Sequence, residues 1–337
     1  MKLICNKSNL LNGVNIVSKA VPNKTTMSIL ECILIDATGS NIKLIANDME
    51  LGIETVIEGE IAEKGQIALD AKIFLEIVRK LPDNEVTIIT DNSFKTNITC
   101  EKAKFTIIGK SGEDFSYLPN IERIDSIIVS QFTLKVVSLD GHRISIRNII
   151  LKDNYPSRKV VVPGKTLNEV SKILSGDADK DVSIFFTGKH IIFEFDKTTV
   201  VSRLIEGEYF KIEQMLSSDY ETKVRINKKE FLNCIDRATL LVKEGDKKPI
   251  IINITDGIME LKINSTVGSM NEEIDITKQG KDLMIGFNPK FMIDALKVID
   301  DEEIDIYLVN PKAPCFIRDA KGKYVYLILP VNFTTVA

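Results

Sequence analysis

The densest concentration of reactive side chains in the sequence is Asp140-Gly-His-Arg143, which sets a carboxylate, an imidazole and a guanidinium within four positions. Such a set could serve acid–base catalysis. No nucleophile or metal-ligating cluster accompanies it in the sequence, and a Gly-containing turn beside an apolar strand, Ile144 to Ile146, accounts for it equally. A second candidate, Gly164-Lys-Thr166, follows the apolar run Val160 to Val162 and opens a helix, as the end of a phosphate-binding loop would. That motif requires a glycine five positions earlier, where this chain has Lys159. Asp177-Ala-Asp179-Lys-Asp181 imitates a calcium loop, yet its sixth position is Val182 and its twelfth is Gly188. With no Trp and only two histidines, His142 and His190, the chain offers little for a zinc cage or His-driven chemistry, so no catalysis, cofactor or metal is expected.

Composition narrows the class further. The 337 residues carry 44 Lys or Arg against 48 Asp or Glu, a net charge of -4, which excludes a globally basic nucleic-acid binder. Hydrophobic residues at 44% and charged residues at 27% describe a globular protein of two or three domains. Five cysteines, at 5, 32, 100, 234 and 315, form no C-x-x-C pair and leave one unpaired under any scheme, which points to a reducing compartment. The start, MKLICNKSNL, lacks the apolar core of a signal peptide, and no window reaches the ~18 apolar residues of a membrane span. A cytoplasmic location is expected.

The elements that would position these residues repeat. Residues 6–21 and 227–242 lie 221 positions apart and match at Asn6/Asn227, Lys7/Lys228, Leu11/Leu232, Asn12/Asn233 and Val21/Val242. In each, an Asn suited to cap a helix precedes apolar residues at helical spacing. A second helix recurs three times, over 70–81, 163–174 and 288–299, with aligned apolar positions Phe74/Leu167/Met292, Ile77/Val170/Ala295 and Leu81/Leu174/Ile299. Each is followed by an alternating strand, at Val86 to Ile88, Val182 to Ile184 and Ile304 to Ile306. The pattern predicts an α+β protein of three repeated domains, 1–121, 122–220 and 221–337, each with two helices packed on antiparallel sheets.

The helices are basic. Segments 7–20 and 71–81 carry +2 each, and 164–174, 228–242 and 288–299 carry +1 each, together +7, which leaves -11 for the rest. If the helices share one face, an acidic protein presents one basic surface to a nucleic-acid backbone. On the residues alone, two other readings stay open: lysines that merely solvate helix faces on a repeat scaffold, and an enzyme acting on nucleic acid through Asp140 and His142.

Four segments, Ala46-Asn-Asp-Met-Glu-Leu-Gly-Ile53, Gly112-Glu-Asp-Phe-Ser-Tyr-Leu-Pro119, Ser138-Leu-Asp-Gly-His-Arg143 and Tyr326-Leu-Ile-Leu-Pro-Val331, together resemble the β sliding clamp family of bacterial DNA polymerase III, in order along the whole chain. The resemblance implies the DNA-clamp fold and a homodimeric ring closed head to tail around double-stranded DNA. It implies a non-catalytic processivity factor that tethers the replicative polymerase. A clamp-loader ATPase, and other replication and repair proteins carrying clamp-binding peptides, would be its further partners. Carried over, the peptide groove comprises Gly141, His142, Arg143 and Ile144, Phe210 and Met215, Asn288 and Phe291, and Leu327, Leu329, Pro330 and Val331. Lys24, Lys72, Arg79, Lys165 and Lys290 would face DNA without reading sequence, and Phe105 and Ile107 would meet Leu240 and Leu241 of a second copy. The chain departs from the family at Phe210-Lys211-Ile212, where Pro-Asp-Tyr is common, and at Asn332, where a basic residue is usual.

The middle repeat is short. From first to second helix the first repeat spans 62 positions (72 minus 10) and the third 59 (290 minus 231), whereas Leu134 to Lys165 is 31. If Leu134 starts a helix as Leu10 does, about 30 residues are missing between Lys135 and Val136. The expectation is that the protein contains them, because a repeat without most of one helix and the strands that follow it exposes its core.

Overall fold

The computed structural model describes residues 1–115, 131–174, 181–242 and 248–333. Among them are five α-helices: α1 (Lys7–Val17), α2 (Ala71–Lys80), α3 (Gly164–Leu174), α4 (Lys228–Thr239) and α5 (Pro289–Lys297). Four start at a side-chain cap, with Asn6 accepting from Ser8 N–H, Asp70 from Ile73, Asn227 from Lys229 and Glu230, and Asn288 from Lys290. Each cap satisfies amide groups that the first helical turn leaves without partners.

The first repeat holds β1 (Lys2–Asn6), β2 (Cys32–Asp36), β3 (Ile42–Asn47), β4 (Leu51–Ile57), β5 (Gly59–Glu63), β6 (Gln66–Asp70), β7 (Glu85–Thr90), β8 (Lys95–Cys100) and β9 (Ala103–Ile108). Next come β10 (Gln131–Leu139), β11 (Arg143–Tyr155), β12 (Ser183–Phe186), β13 (His190–Phe195) and β14 (Thr198–Arg203). The last stretch holds β15 (Thr222–Asn227), β16 (Ile250–Thr255), β17 (Ile258–Asn264), β18 (Ser269–Asp275), β19 (Thr277–Gly280), β20 (Leu283–Phe287), β21 (Glu303–Leu308), β22 (Cys315–Arg318) and β23 (Tyr324–Ile328).

The chain forms two compact units. Met1–Ile128 with Pro156–Tyr209 carries the sheets β5-β1-β7-β8-β9 and β12-β13-β14-β4-β3-β2-β6. Val129–Tyr155 with Phe210–Ala337 carries β10-β11-β23-β22-β21-β15-β19 and β18-β17-β16-β20. In the first unit α1 buries Leu10, Val14 and Val17 over β3 and β4. Gly13 lets it approach, since a Cβ there would lie 2.5 Å from Ile57 Cγ2 and 2.8 Å from Leu44 Cδ1. In the second unit α4 and α5 pack on each other and bury Phe231, Ile235, Met292 and Leu296 with Ile252, Leu261 and Phe287 from the sheet below. Each such side chain removed from water contributes about 1.5–3 kcal/mol.

In the structure Lys135 and Val136 are neighbours inside β10, opposite Asn148 and Arg147 of β11. The expected helix at Leu134 is a strand. Thr133, Val136 and Val137 are β-branched, and the turn at Asp140 folds them onto a ready partner in β11. Among the described residues the stretch 131–209 therefore holds one α-helix, α3, instead of the two expected. The residues around the expected boundary at 121, and the calcium-like stretch up to Lys180, lie outside the described residues.

All five cysteines are free and buried. Burial pushes the thiols of Cys5, Cys234 and Cys315 up to about 12, which keeps them protonated.

Candidate functional site

Asp140 organises the turn that carries the most reactive residues. Its Oδ1 accepts from the amides of His142 at 2.9 Å and Arg143 at 3.1 Å, and its Oδ2 accepts from Arg143 Nε at 2.9 Å. Partial burial works against the charge, yet the His142 amide and the Arg143 guanidinium hold the carboxyl below its ordinary range. A carboxylate so committed is a poor general base. The other end of Arg143 is 2.7 Å from Asp294 of α5, and its guanidinium lies 4.4 Å above the Phe291 ring, on which His142 also stacks at 5.8 Å. The turn is thus pinned to α5.

Strand alternation sends the predicted groove residues to two faces. Arg143 pairs with Ile328 and Ser145 with Tyr326, on the face that meets α5. Ile144 pairs with Leu327 on the other face, where each is only 5% exposed. Across that second face runs the segment 213–218. It is tied to β10 by Lys135–Glu213 at 4.0 Å, and to β22 by Arg318, which donates to the carbonyls of Ser217 and Ser218 at 3.1 Å. Because the sheet order is β10-β11-β23-β22, Met215 lies over the strands that carry Ile144 and Leu327. Leu329 follows on, its amide donating to His142 O at 2.9 Å, and Val331 donates to Gly286 O at 2.8 Å. Met215, Leu329 and Phe210 are 48%, 37% and 62% exposed, an apolar rim above a buried floor. Pro330 and Val331 continue the rim half-buried, and Gly141 is exposed at the turn. Asn288 spends its side-chain oxygen as the α5 cap.

A cavity of about 280 Å³ opens on the α5 face, lined by Arg143, Ser145, Phe291, Asp294 and Tyr326 among others. Asp294, Ser145 and Tyr326 were not among the residues expected at a site; Asp294 sits one turn beyond Phe291 on α5, and Tyr326 opens the terminal segment Tyr326 to Val331.

Of the residues expected at DNA, Lys24, Lys72 and Lys290 are exposed. Arg79 is ion-paired with Glu76, and Lys165 with Asp48. Thr166 is buried with its hydroxyl 2.6 Å from that of Ser202, so neither side chain of the phosphate-loop imitation is free for a nucleotide. Phe105 and Ile107 lie on β9, an edge strand, with Phe105 39% exposed, while Leu240 at the end of α4 is 79% exposed and Leu241 packs partly on the core. Among the described residues no group of three His, Cys, Asp or Glu could hold a metal ion, and no helix is long and apolar enough to cross a membrane.

Family models for the DNA polymerase III beta subunit match in succession: the N-terminal domain over residues 1–119, the central domain over 126–211 and the C-terminal domain over 213–332. The beta sliding clamp of Staphylococcus epidermidis is 31% identical over 375 aligned residues, spanning 98% of this chain and 99% of that protein. With 337 residues here, at least 38 of those positions (375 minus 337) have no counterpart in this chain. A crystal structure of a DNA polymerase III beta subunit from Eubacterium rectale is 68% identical with a TM-score of 0.91, covering 99% of this chain and 100% of that one. The DNA polymerase sliding clamp of Bacillus subtilis is 31% identical with a TM-score of 0.88 over 99% and 100%. Matched along nearly its whole length in sequence and in fold, the chain belongs to the DNA polymerase III beta subunit family, the beta sliding clamps, and its function is that of a processivity clamp in DNA replication.

Proposed function

We propose that this clamp works as a head-to-tail homodimer of three repeated domains per copy, 1–121, 122–220 and 221–337, closed as a ring around duplex DNA. The observation that carries the reading is a strand-pairing rule. In the first unit β4, the fourth strand of its repeat, pairs with β14, the last strand of the next; in the second unit β11 pairs with β23 in the same way. Each junction makes five residue pairs. The rule leaves without a partner the fourth strand of the third repeat, β18, and the last strand of the first, β9, and both are edge strands. A second copy pairs β18 with β9 twice, a heterologous contact that closes after two subunits. Leu240 and Leu241 beside β18, and Phe105 and Ile107 on β9, supply the apolar part of the contact.

Lys24, Lys72, Lys290 and, with their acidic partners, Arg79 and Lys165 meet phosphates without reading bases, so the grip is weak, salt-sensitive and able to slide. Retention comes from topology. The replicative polymerase, the loader ATPase and other replication and repair proteins insert a peptide over Ile144, Leu327, Leu329 and Met215. The clamp catalyses nothing itself, because Asp140, Arg143, Lys165 and Thr166 serve structural bonds, and it works in the cytoplasm on chromosomal DNA. The test is topological: protein loaded on nicked circular DNA slides off when the circle is cut. Protein that stays on the linear form, or prefers a base sequence, refutes the ring.

A further inference from the structure

Strand register sets the side chains on the Ile144 face of the sheet in one row: Leu139, Ile144, Leu327, Phe316, Tyr307 and Lys223 are each paired with the next. The row starts in the apolar floor and ends in two rings and an ammonium. Arg318 stands on the same face of β22 as Phe316, two residues on. Its guanidinium carbon lies 4.3 Å from the centre of the Tyr307 ring and 5.6 Å from that of Phe316. From there Nη1 donates to Ser217 O and Nη2 to Ser218 O, both at 3.1 Å. The rings hold the plane of the guanidinium, and its two nitrogens then hold two consecutive carbonyls. A lysine ammonium has neither the plane nor the fork.

Those carbonyls matter because little else holds the segment. Glu213, Gln214, Met215, Ser217 and Ser218 are all exposed. Among the described residues the only other hydrogen bond or ion pair from 213–218 to the sheet is Lys135–Glu213, at 4.0 Å with side chains 42% and 71% exposed. An ion pair so long and so exposed contributes little. Ser217 is two residues from Met215, at most about 7 Å of chain, so the fork limits where Met215 can lie. On the far side, Tyr220 meets the Tyr307 ring edge-on at 5.1 Å, which makes Tyr307 the common support of the segment's end.

We propose that Arg318 is a positioning residue for partner binding, a role that rests on this face being where partners insert their peptide. By holding Ser217 and Ser218 it keeps Met215 over Ile144 and Leu327 before a partner arrives. A wall already in place spares the peptide the cost of ordering it. Without the fork, 213–218 falls among the weakly held segments of the fold, and only the fraction of clamps with Met215 in place binds.

The test is binding of the purified replicative polymerase to the full-length clamp by biolayer interferometry. Arg318→Ala weakens it by about tenfold, as a wall in place about one-tenth of the time would, with the thermal melt and sedimentation of the parent. Arg318→Lys keeps the charge without the fork and weakens it by about threefold or more. In polymerase stimulation, Arg318→Ala raises the clamp concentration at half-effect and leaves the plateau unchanged. In a Met215→Ala background Arg318→Ala adds less than about twofold, because a residue that acts through Met215 then has nothing to position. A merely structural residue would multiply its full effect in, and that outcome overturns the role. So does binding within about twofold of the parent in Arg318→Ala or Arg318→Lys while Leu329→Glu abolishes it. If Leu329→Glu binds as the parent does, the peptide face itself is refuted and the role with it. Should Arg318→Ala lose its fold, Arg318→Lys and its cycle with Met215→Ala decide by the same criteria.

Discussion

Leu240→Asp is the sharpest test of the ring. The side chain is 79% exposed in one copy, so nearly all of its burial awaits a second. Fully burying a leucine contributes about 1.5–3 kcal/mol, so 79% of it contributes about 1.2–2.4 kcal/mol. A head-to-tail dimer has two identical contacts, and the loss counts twice, about 2.4–4.8 kcal/mol. At 1.4 kcal/mol per decade the dimer dissociation constant rises by about 50- to 2,500-fold, before any cost of burying the new carboxylate. Sedimentation velocity over a dilution series reads it directly, with thermal melting as the control. An exposed position away from the core should move monomer stability by no more than about 0.5 kcal/mol. A dissociation constant within about threefold of the parent, or a parent that is monomeric at about 10 μM, refutes the pairing of β18 with β9.

On the peptide face, Met215→Glu or Leu329→Glu should abolish polymerase stimulation while leaving the dimer intact in the same sedimentation assay, because exposed apolar anchors dominate peptide binding. Charge reversal at Lys72 or Lys290 should weaken clamp retention equally on all sequences and flatten the dependence on salt, measured on nicked circles from ~50 to ~200 mM. Gly280→Ala should destabilise by about 2–4 kcal/mol in urea unfolding, since Gly280 has φ +102° and a Cβ would lie 1.9 Å from Glu221 O. The side-chain hydrogen bond from Arg237 holds the Glu272 carboxyl below its ordinary 4.5. Its folded value is thus below its unfolded one, so the pair's contribution is complete above about pH 4.5 and lost as pH falls through the folded value. The Tm difference between the parent and Arg237→Ala should shrink accordingly from about pH 6 to about pH 3.

The sequence by itself determined the local elements. Asn6, Asp70, Asn227 and Asn288 start helices because capping acts within three residues, and apolar spacing marked the faces of α1, α2, α4 and α5 that turned out buried. The turn of Asp140-Gly-His-Arg143 was legible for the same reason. Leu134 is the opposite case. A repeat alignment assigned a helix there, but whether Val136 and Val137 extend or coil depends on a partner strand, and only the fold supplies β11. Only the tertiary structure could show that Arg143 reaches Asp294, 151 positions away, or that Lys165 is taken up by Asp48, since ion pairs between distant segments leave no spacing to read. The same holds for the cavity and for the hydroxyl of Tyr326, which has no partner among the described residues: burial is a property of what packs around a residue, and sequence does not show the packing.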